Sequence, residues 1–148
     1  MKKSEAPIIV EEIFNCDVKT VWDTITRVDL MRQWFFENIP DFKAVVGFET
    51  QFEVTSGERT FLHLWKIIDV IPLKRITYSW KYNNYPGEAN VVFELFKENE
   101  MTKLRLTNIV IEDFPDEIPE FARESCLGGW KYFINERLKR CLEKECLN

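Results

Sequence analysis

The residues able to do chemistry in this chain are few, and they centre on one side chain. His63 is the only histidine among 148 residues. An imidazole titrates near neutral pH, so His63 is the natural candidate for a general acid or base. In a strand starting at Thr60 it shares a face with Phe61, Trp65 and Ile67. The competing reading is a ring hydrogen-bonded at the sheet surface or the edge of the core. A serine or cysteine nucleophile needs such a base beside it, and no arrangement of that kind is visible. Tyr78 and Tyr82 can aim hydroxyls at a bound molecule or serve as core rings with satisfied hydroxyls. Asn108 stands among inward-facing aliphatic residues and needs a partner if buried, whether ligand, water or backbone.

Metal and cofactor chemistry find no motif. Cys16, Cys126, Cys141 and Cys146 form no CxxC pair, and none lies near His63 in sequence. They read as free thiols in a reducing compartment. The acidic cluster Glu112, Asp113, Asp116 and Glu117 lacks calcium-loop spacing and reads as a solvated connector. No cofactor is expected.

The elements that hold these groups are legible in the apolar periodicity. Pro7 to Phe14 reads as a first strand. Asp17 is a good N-cap for a helix with Val18, Val21, Trp22 and Ile25 on one face. Asp29 can cap a second short helix that turns Leu30, Met31, Trp34 and Phe35 inward, with Pro40 ending the unit. A run of strands follows. Phe48, Thr50, Phe52 and Val54 alternate with polar residues, and Ser56-Gly57-Glu58 makes a turn. Thr60 to Ile71 is a long strand closed by Pro72. Ile76, Tyr78, Trp80 and Tyr82 share one face of the next. Asn83 to Glu88 reads as a loop around the turn pair Pro86-Gly87. Ala89, Val91, Phe93 and Leu95 then face one way, as do Leu104, Leu106, Asn108 and Val110 after a hairpin at Lys97 to Glu100.

Pro119 to Glu145 carries the longest helical pattern. Leu127, Trp130, Ile134, Leu138 and Cys141 fall on one stripe, widened by Phe133 and Leu142. About 27 residues at 1.5 Å each give a rod of roughly 40 Å, long enough to cross an entire sheet. Gly128 and Gly129 interrupt it, each costing about 1 kcal/mol relative to alanine. Two explanations stand: close packing or a bend of the helix, and a flexible lip at a cavity mouth. The one-sided alternation of the strands leaves a dry face that only this rod can cover. The predicted fold is therefore α+β: a curved antiparallel sheet of six to seven strands wrapped on a long C-terminal helix, with two short helices after the first strand. Residues 1–148 form one domain.

Composition narrows the function. The chain is 45% hydrophobic with 12 phenylalanines and 5 tryptophans, so large rings fill a core or line a pocket. A net charge of −5 without a basic run argues against nucleic-acid binding. No apolar stretch approaches a membrane span, and the N-terminus has no signal-peptide core, so the expectation is a cytoplasmic protein.

Three motifs carry a resemblance. Val21-Trp22-Asp23-Thr24-Ile25-Thr26 with Leu30 and Trp34-Phe35 resembles the opening signature of the heat-shock-protein-90 ATPase activator-like family. Pro72 to Trp80, with Arg75, Tyr78 and Trp80, resembles its mid-chain signature. Gly129-Trp130 with Ile134 and Leu138 resembles its helical ending. The resemblance covers nearly the whole chain and implies the START-related helix-grip superfamily, with a deep pocket between sheet and long helix. Its relatives include lipid carriers, plant hormone receptors, aromatic polyketide cyclases and a co-chaperone domain. Trp65 departs from the pattern, standing where many members carry glycine. Pointed inward, it shrinks or divides the pocket.

The residues expected at that pocket are Trp34, Phe52, His63, Trp65, Tyr78 and Trp80, together with Phe93, Leu106, Asn108, Trp130, Phe133 and Ile134. The leading expectation is a binding or carrier domain for a small apolar or aromatic molecule. The alternatives are a co-chaperone-like module that engages a chaperone, and a cyclase-like enzyme using His63 or a tyrosine. A monomer and a homodimer are both compatible with the strand from Phe48, which is an edge or pairs across a dimer.

Overall fold

The computed structural model describes residues 1–146. It shows an α+β fold in which six antiparallel strands form one sheet in the order β1-β6-β5-β4-β3-β2. Strands β2 (Glu49–Ser56), β3 (Arg59–Ile71), β4 (Arg75–Tyr82), β5 (Tyr85–Glu98) and β6 (Met101–Glu112) run as a meander. Strand β1 (Ile8–Phe14) closes the far edge by pairing with β6, Ile8 opposite Asn108 and Phe14 opposite Thr102. Register shifts between Ile67 and Asp69, Lys81 and Tyr82, and Glu88 and Ala89 bend the long central strands. Cross-strand rows follow from the register. One runs Ile67–Tyr78–Val91–Asn108–Ile8, and another Phe52–His63–Tyr82.

Helices α1 (Val18–Thr26) and α2 (Val28–Trp34) stand between β1 and β2. The Asp17 carboxylate accepts the Thr20 amide at 2.8 Å and caps α1, as its position predicts. Asp29 does not cap α2. The cap position is Arg27, and Asp29 lies in the first turn, paired with Arg27 at 3.2 Å. A link of one residue between the helices leaves no room for a separate capping turn.

The C-terminal helix begins later than its pattern suggests. Pro119–Phe121 is an isolated 3₁₀ turn, and Ala122 is extended at φ −69° and ψ 145°. That break lets the Phe121 ring drop into the interior, where it is buried. Then α3 (Arg123–Lys131), a π-helical segment (Tyr132–Leu138) and α4 (Lys139–Glu145) continue through αR backbone without interruption, a rod of about 35 Å. Its buried residues are Trp130, Ile134, Leu138 and Leu142, spaced by fours. On a pure α-helix a stripe with that spacing drifts by about 40° per turn. The wider π turns reduce the drift and keep the stripe against the sheet. Asn135 and Lys139 tie the rod to β1 through the Glu11 and Ile13 carbonyls, and Arg137 ties it to α2 through the Gln33 carbonyl.

Two further readings are corrected. Cys16, after β1, and Cys146, after α4, form a disulfide with Cα atoms 5.6 Å apart, so only Cys126 and Cys141 are free thiols. Their separation of 130 residues hides the pairing from any local pattern. The segment Asn83 to Glu88 is not a loop either. The turn is confined to Asn83 and Asn84, and β5 starts at Tyr85. Gly87 sits inside that strand at φ +115°, where any side chain would collide with the Phe114 ring.

Candidate functional site

The interior is filled unevenly because of where α2 ends. Trp34, Phe35 and Phe36 leave α2 as three successive rings and wedge between sheet and helix. Trp34 and Phe35 stack at 4.6 Å, and Phe35 meets Trp65 at 5.4 Å and Phe133 at 4.9 Å. Trp65 points inward at 2% exposure and packs on Tyr78 at 5.0 Å and Trp80 at 5.1 Å. This plug makes one half of the grip solid.

Beyond the plug, toward the start of α3, a cavity of about 340 Å³ remains. Its sheet side carries Phe61, His63, Trp80, Tyr82 and Asn108. Its helix side carries Cys126, Gly129, Trp130 and Phe133. Phe114 and Phe121 close the end, and with Phe61 and Ala89 they form a second buried cluster. Five residues expected at a pocket therefore lie on its wall: His63, Trp80, Asn108, Trp130 and Phe133. The other seven are Trp34, Phe52, Trp65, Tyr78, Phe93, Leu106 and Ile134, and they belong to the packed core. Phe36, Phe61, Phe114, Phe121 and Cys126 escaped the sequence reading. Phe61 shares a strand face with His63, which was an available signal. Phe114 and Phe121 lie in a segment whose acidic residues mask its apolar spacing.

The polar groups on the wall are few and closely constrained. The His63 Nδ1 lies 3.1 Å from the Phe61 carbonyl, which fixes Nδ1 as the donor. Around the ring stand Tyr82 at 4.8 Å, Phe52 at 5.1 Å, Phe36 at 5.2 Å and Trp80 at 5.4 Å. Burial among them pulls the His63 pKa down to about 4, only partly opposed by the Phe61 carbonyl, so the imidazole is neutral at physiological pH. The Tyr82 hydroxyl accepts the Trp80 indole N–H at 2.9 Å, and burial raises its pKa far above the ordinary phenol range. Burial also pushes the Cys126 thiol up to about 11, so it stays protonated. The Asn108 Oδ1 accepts the Trp130 indole N–H at 3.4 Å, while its buried Nδ2 has no partner among the described residues. Glu120 is the one charged side chain on the wall. Its own backbone N–H lowers its pKa, and Arg59 approaches it at 3.5 Å. Among the described residues no group of three or more His, Cys, Asp or Glu is placed to hold a metal ion.

The pair Gly128 and Gly129 gains a partial explanation. A Cβ at either position would meet nothing within 4 Å, so close packing on a strand does not account for them. Gly129 borders the cavity, and the carbonyls of both glycines receive the Tyr132 N–H, where the π-helical segment begins.

A sheet gripping one long helix, with short helices plugging one end and a cavity at the other, defines a protein of the helix-grip fold. The family model for activator of Hsp90 ATPase homolog 1-like proteins matches residues 15–143, and the chain belongs to that family. Similar folds occur in several solved structures. CV1439 from Chromobacterium violaceum shares 17% identity at a TM-score of 0.77, covering 93% of this chain and 96% of that one. The Aha1 dimer from Colwellia psychrerythraea shares 22% identity at a TM-score of 0.70, covering 94% and 97%. DynU16, a protein of the dynemicin biosynthetic locus, shares 21% identity at a TM-score of 0.76, covering 95% of this chain and 48% of DynU16. The chain thus spans about half the length of DynU16. Comparison with curated protein sequences gave no significant match. Among the described residues no helix is long and apolar enough to cross a membrane.

Proposed function

We propose that this protein binds and carries a small apolar or aromatic molecule in the cavity between the sheet and the C-terminal helix. The carrying observation is an aromatic-walled space of about 340 Å³ whose wall includes the buried polar residues His63 and Asn108. The volume lies at the small end of the roughly 300–1,000 Å³ range of ligand sites, which favours a guest of two or three fused rings over a long lipid.

Filling the cavity tests this reading. Ala89 is buried on the cavity wall, and a Phe there occupies the space with little disturbance of the sheet hydrogen bonding. Isothermal titration with neutral naphthalenes should show one site in the parent protein and none in Ala89→Phe. Equal binding by both proteins places the site elsewhere and overturns the reading.

The family assignment supports a second reading, a co-chaperone-like module. It predicts capture of a heat-shock-protein-90 chaperone in a pull-down, undiminished in Ala89→Phe. The cyclase-like reading rests on His63. It predicts turnover that His63→Ala abolishes.

A further inference from the structure

The hydrogen-bonding state of His63 specifies what kind of guest the cavity takes. The Phe61 carbonyl can only accept, so the hydrogen of the neutral ring resides on Nδ1. Nε2 is left with a lone pair and makes no hydrogen bond among the described residues. It is not sealed in the packing either. The buried side-chain atoms closed off without a partner are Trp65 Nε1, Tyr78 Oη and Asn108 Nδ2, and Nε2 is not one of them. The ring stands on the cavity wall, and of its two nitrogens only Nε2 is free to meet a guest there. A lone pair in an apolar enclosure calls for a donor.

The remaining wall groups restrict the donor further. Among the described residues no lysine or arginine side chain lines the cavity, and the charged groups there are the Glu120 carboxylate and the Met1 ammonium, which donates to the Phe121 carbonyl at 2.9 Å. An anionic guest would lose its water and meet, beside the repelling Glu120 carboxylate, only the Met1 ammonium, which the Phe121 carbonyl already engages. The ring faces of Trp80, Phe133 and Phe61 suit a flat apolar body. We infer that the cavity selects uncharged hydroxylated aromatic molecules of the phenol class, with His63 Nε2 accepting the hydroxyl proton in a hydrogen bond. This rests on the binding reading above and adds the chemical class of the guest and the residue that discriminates it. Burial supports it by keeping the imidazole neutral and the lone pair free.

Three probes of one shape separate the possibilities: 2-naphthol, 2-methoxynaphthalene and 2-naphthoate, titrated calorimetrically near neutral pH. One hydrogen bond makes 2-naphthol bind roughly five- to tenfold more tightly than its methyl ether. The carboxylate should bind most weakly of the three. In His63→Phe, 2-naphthol should fall to the affinity of the ether, while the ether changes by less than about twofold. Equal affinities of 2-naphthol and its ether in the parent protein overturn the inference and leave the binding reading standing. Tightest binding by 2-naphthoate does the same. Absence of binding by all three defeats the binding reading itself. The comparison within the parent protein decides the matter even if His63→Phe fails to fold.

Discussion

Acid should destabilise this protein through His63 in a measurable and assignable way. The ring is 5% exposed, and its neighbours Phe36, Phe52, Trp80 and Tyr82 include no charged side chain. Protonation therefore places a cation among apolar rings with one carbonyl as its sole partner. The pKa falls from 6.5 in the unfolded chain to about 4 in the folded one. A base with a lowered folded pKa binds its proton more readily when unfolded. Its contribution to stability is full above the unfolded pKa and is lost as pH falls from 6.5 toward 4. A difference of about 2.5 units at 1.36 kcal/mol each bounds the loss at about 3 kcal/mol, and roughly 2 kcal/mol or more should already be gone near pH 4.5. The assay is urea denaturation, read by tryptophan fluorescence, of the parent and His63→Phe at several values between about pH 7 and pH 4.5. Carboxylates titrate in both proteins, so the pH dependence of the difference isolates His63. The parent should lose stability faster than the variant, and the two should converge or cross as pH falls. Parallel curves would mean that the imidazole is not buried as a neutral ring, and the guest selectivity derived from its lone pair would lose its physical basis.

Three further outcomes follow from the packing. Tyr78→Phe removes a hydroxyl that is fully buried without a partner, so it should leave stability unchanged or raise it by about 1 kcal/mol in chemical denaturation. Trp130→Ala deletes a ring packed on Phe35, Phe93 and Trp80, and should cost about 3–5 kcal/mol; a loss under about 1 kcal/mol would mean that the ring borders wet space instead. Cys146→Ser opens a covalent link between β1 and the end of the C-terminal helix and should cost about 2–4 kcal/mol, and thiol titration of the unreduced, unfolded parent should count Cys126 and Cys141 only.

The architecture was legible because its signals are local and repeated. Alternation along Ile76, Tyr78, Trp80 and Tyr82, and again along Ala89, Val91, Phe93 and Leu95, marks the dry face of the sheet directly. Those same residues then show why the site was only partly legible. A period of two says which rings turn inward, but not how far inward space is already taken. Tyr78 and Trp80 are neighbours on one face, yet Tyr78 is sealed under Trp65 and Phe93 while Trp80 borders the cavity. What separates them is Phe42, in the segment between α2 and β2, which packs on Tyr78 at 5.7 Å and whose placement depends on tertiary packing. The start of the C-terminal helix was misplaced for a related reason. Pro119 and the glutamates around it satisfy the proline and charge rules for a helix N-terminus, but burying Phe121 outweighs three residues of helix.

Trp65 is the residue on which the size of the cavity turns. It pairs across the sheet with Thr50 on one side and Trp80 on the other, so its ring is held at the centre of the inward face. Phe35 and Phe36 from α2 and Phe52 from β2 then pack against it, which commits that half of the grip to solid core. Space survives beyond this plug, where the helix offers Gly129 in place of a side chain. The small residues Ala89 and Gly129 share this wall with His63 and Asn108, its buried polar residues. A core optimised for stability alone would place apolar residues at both positions, since each carries hydrogen-bonding capacity that the packing leaves unmet. Their coincidence with an unfilled end of a dense aromatic interior is what supports the proposal that the space is a site and not a packing defect.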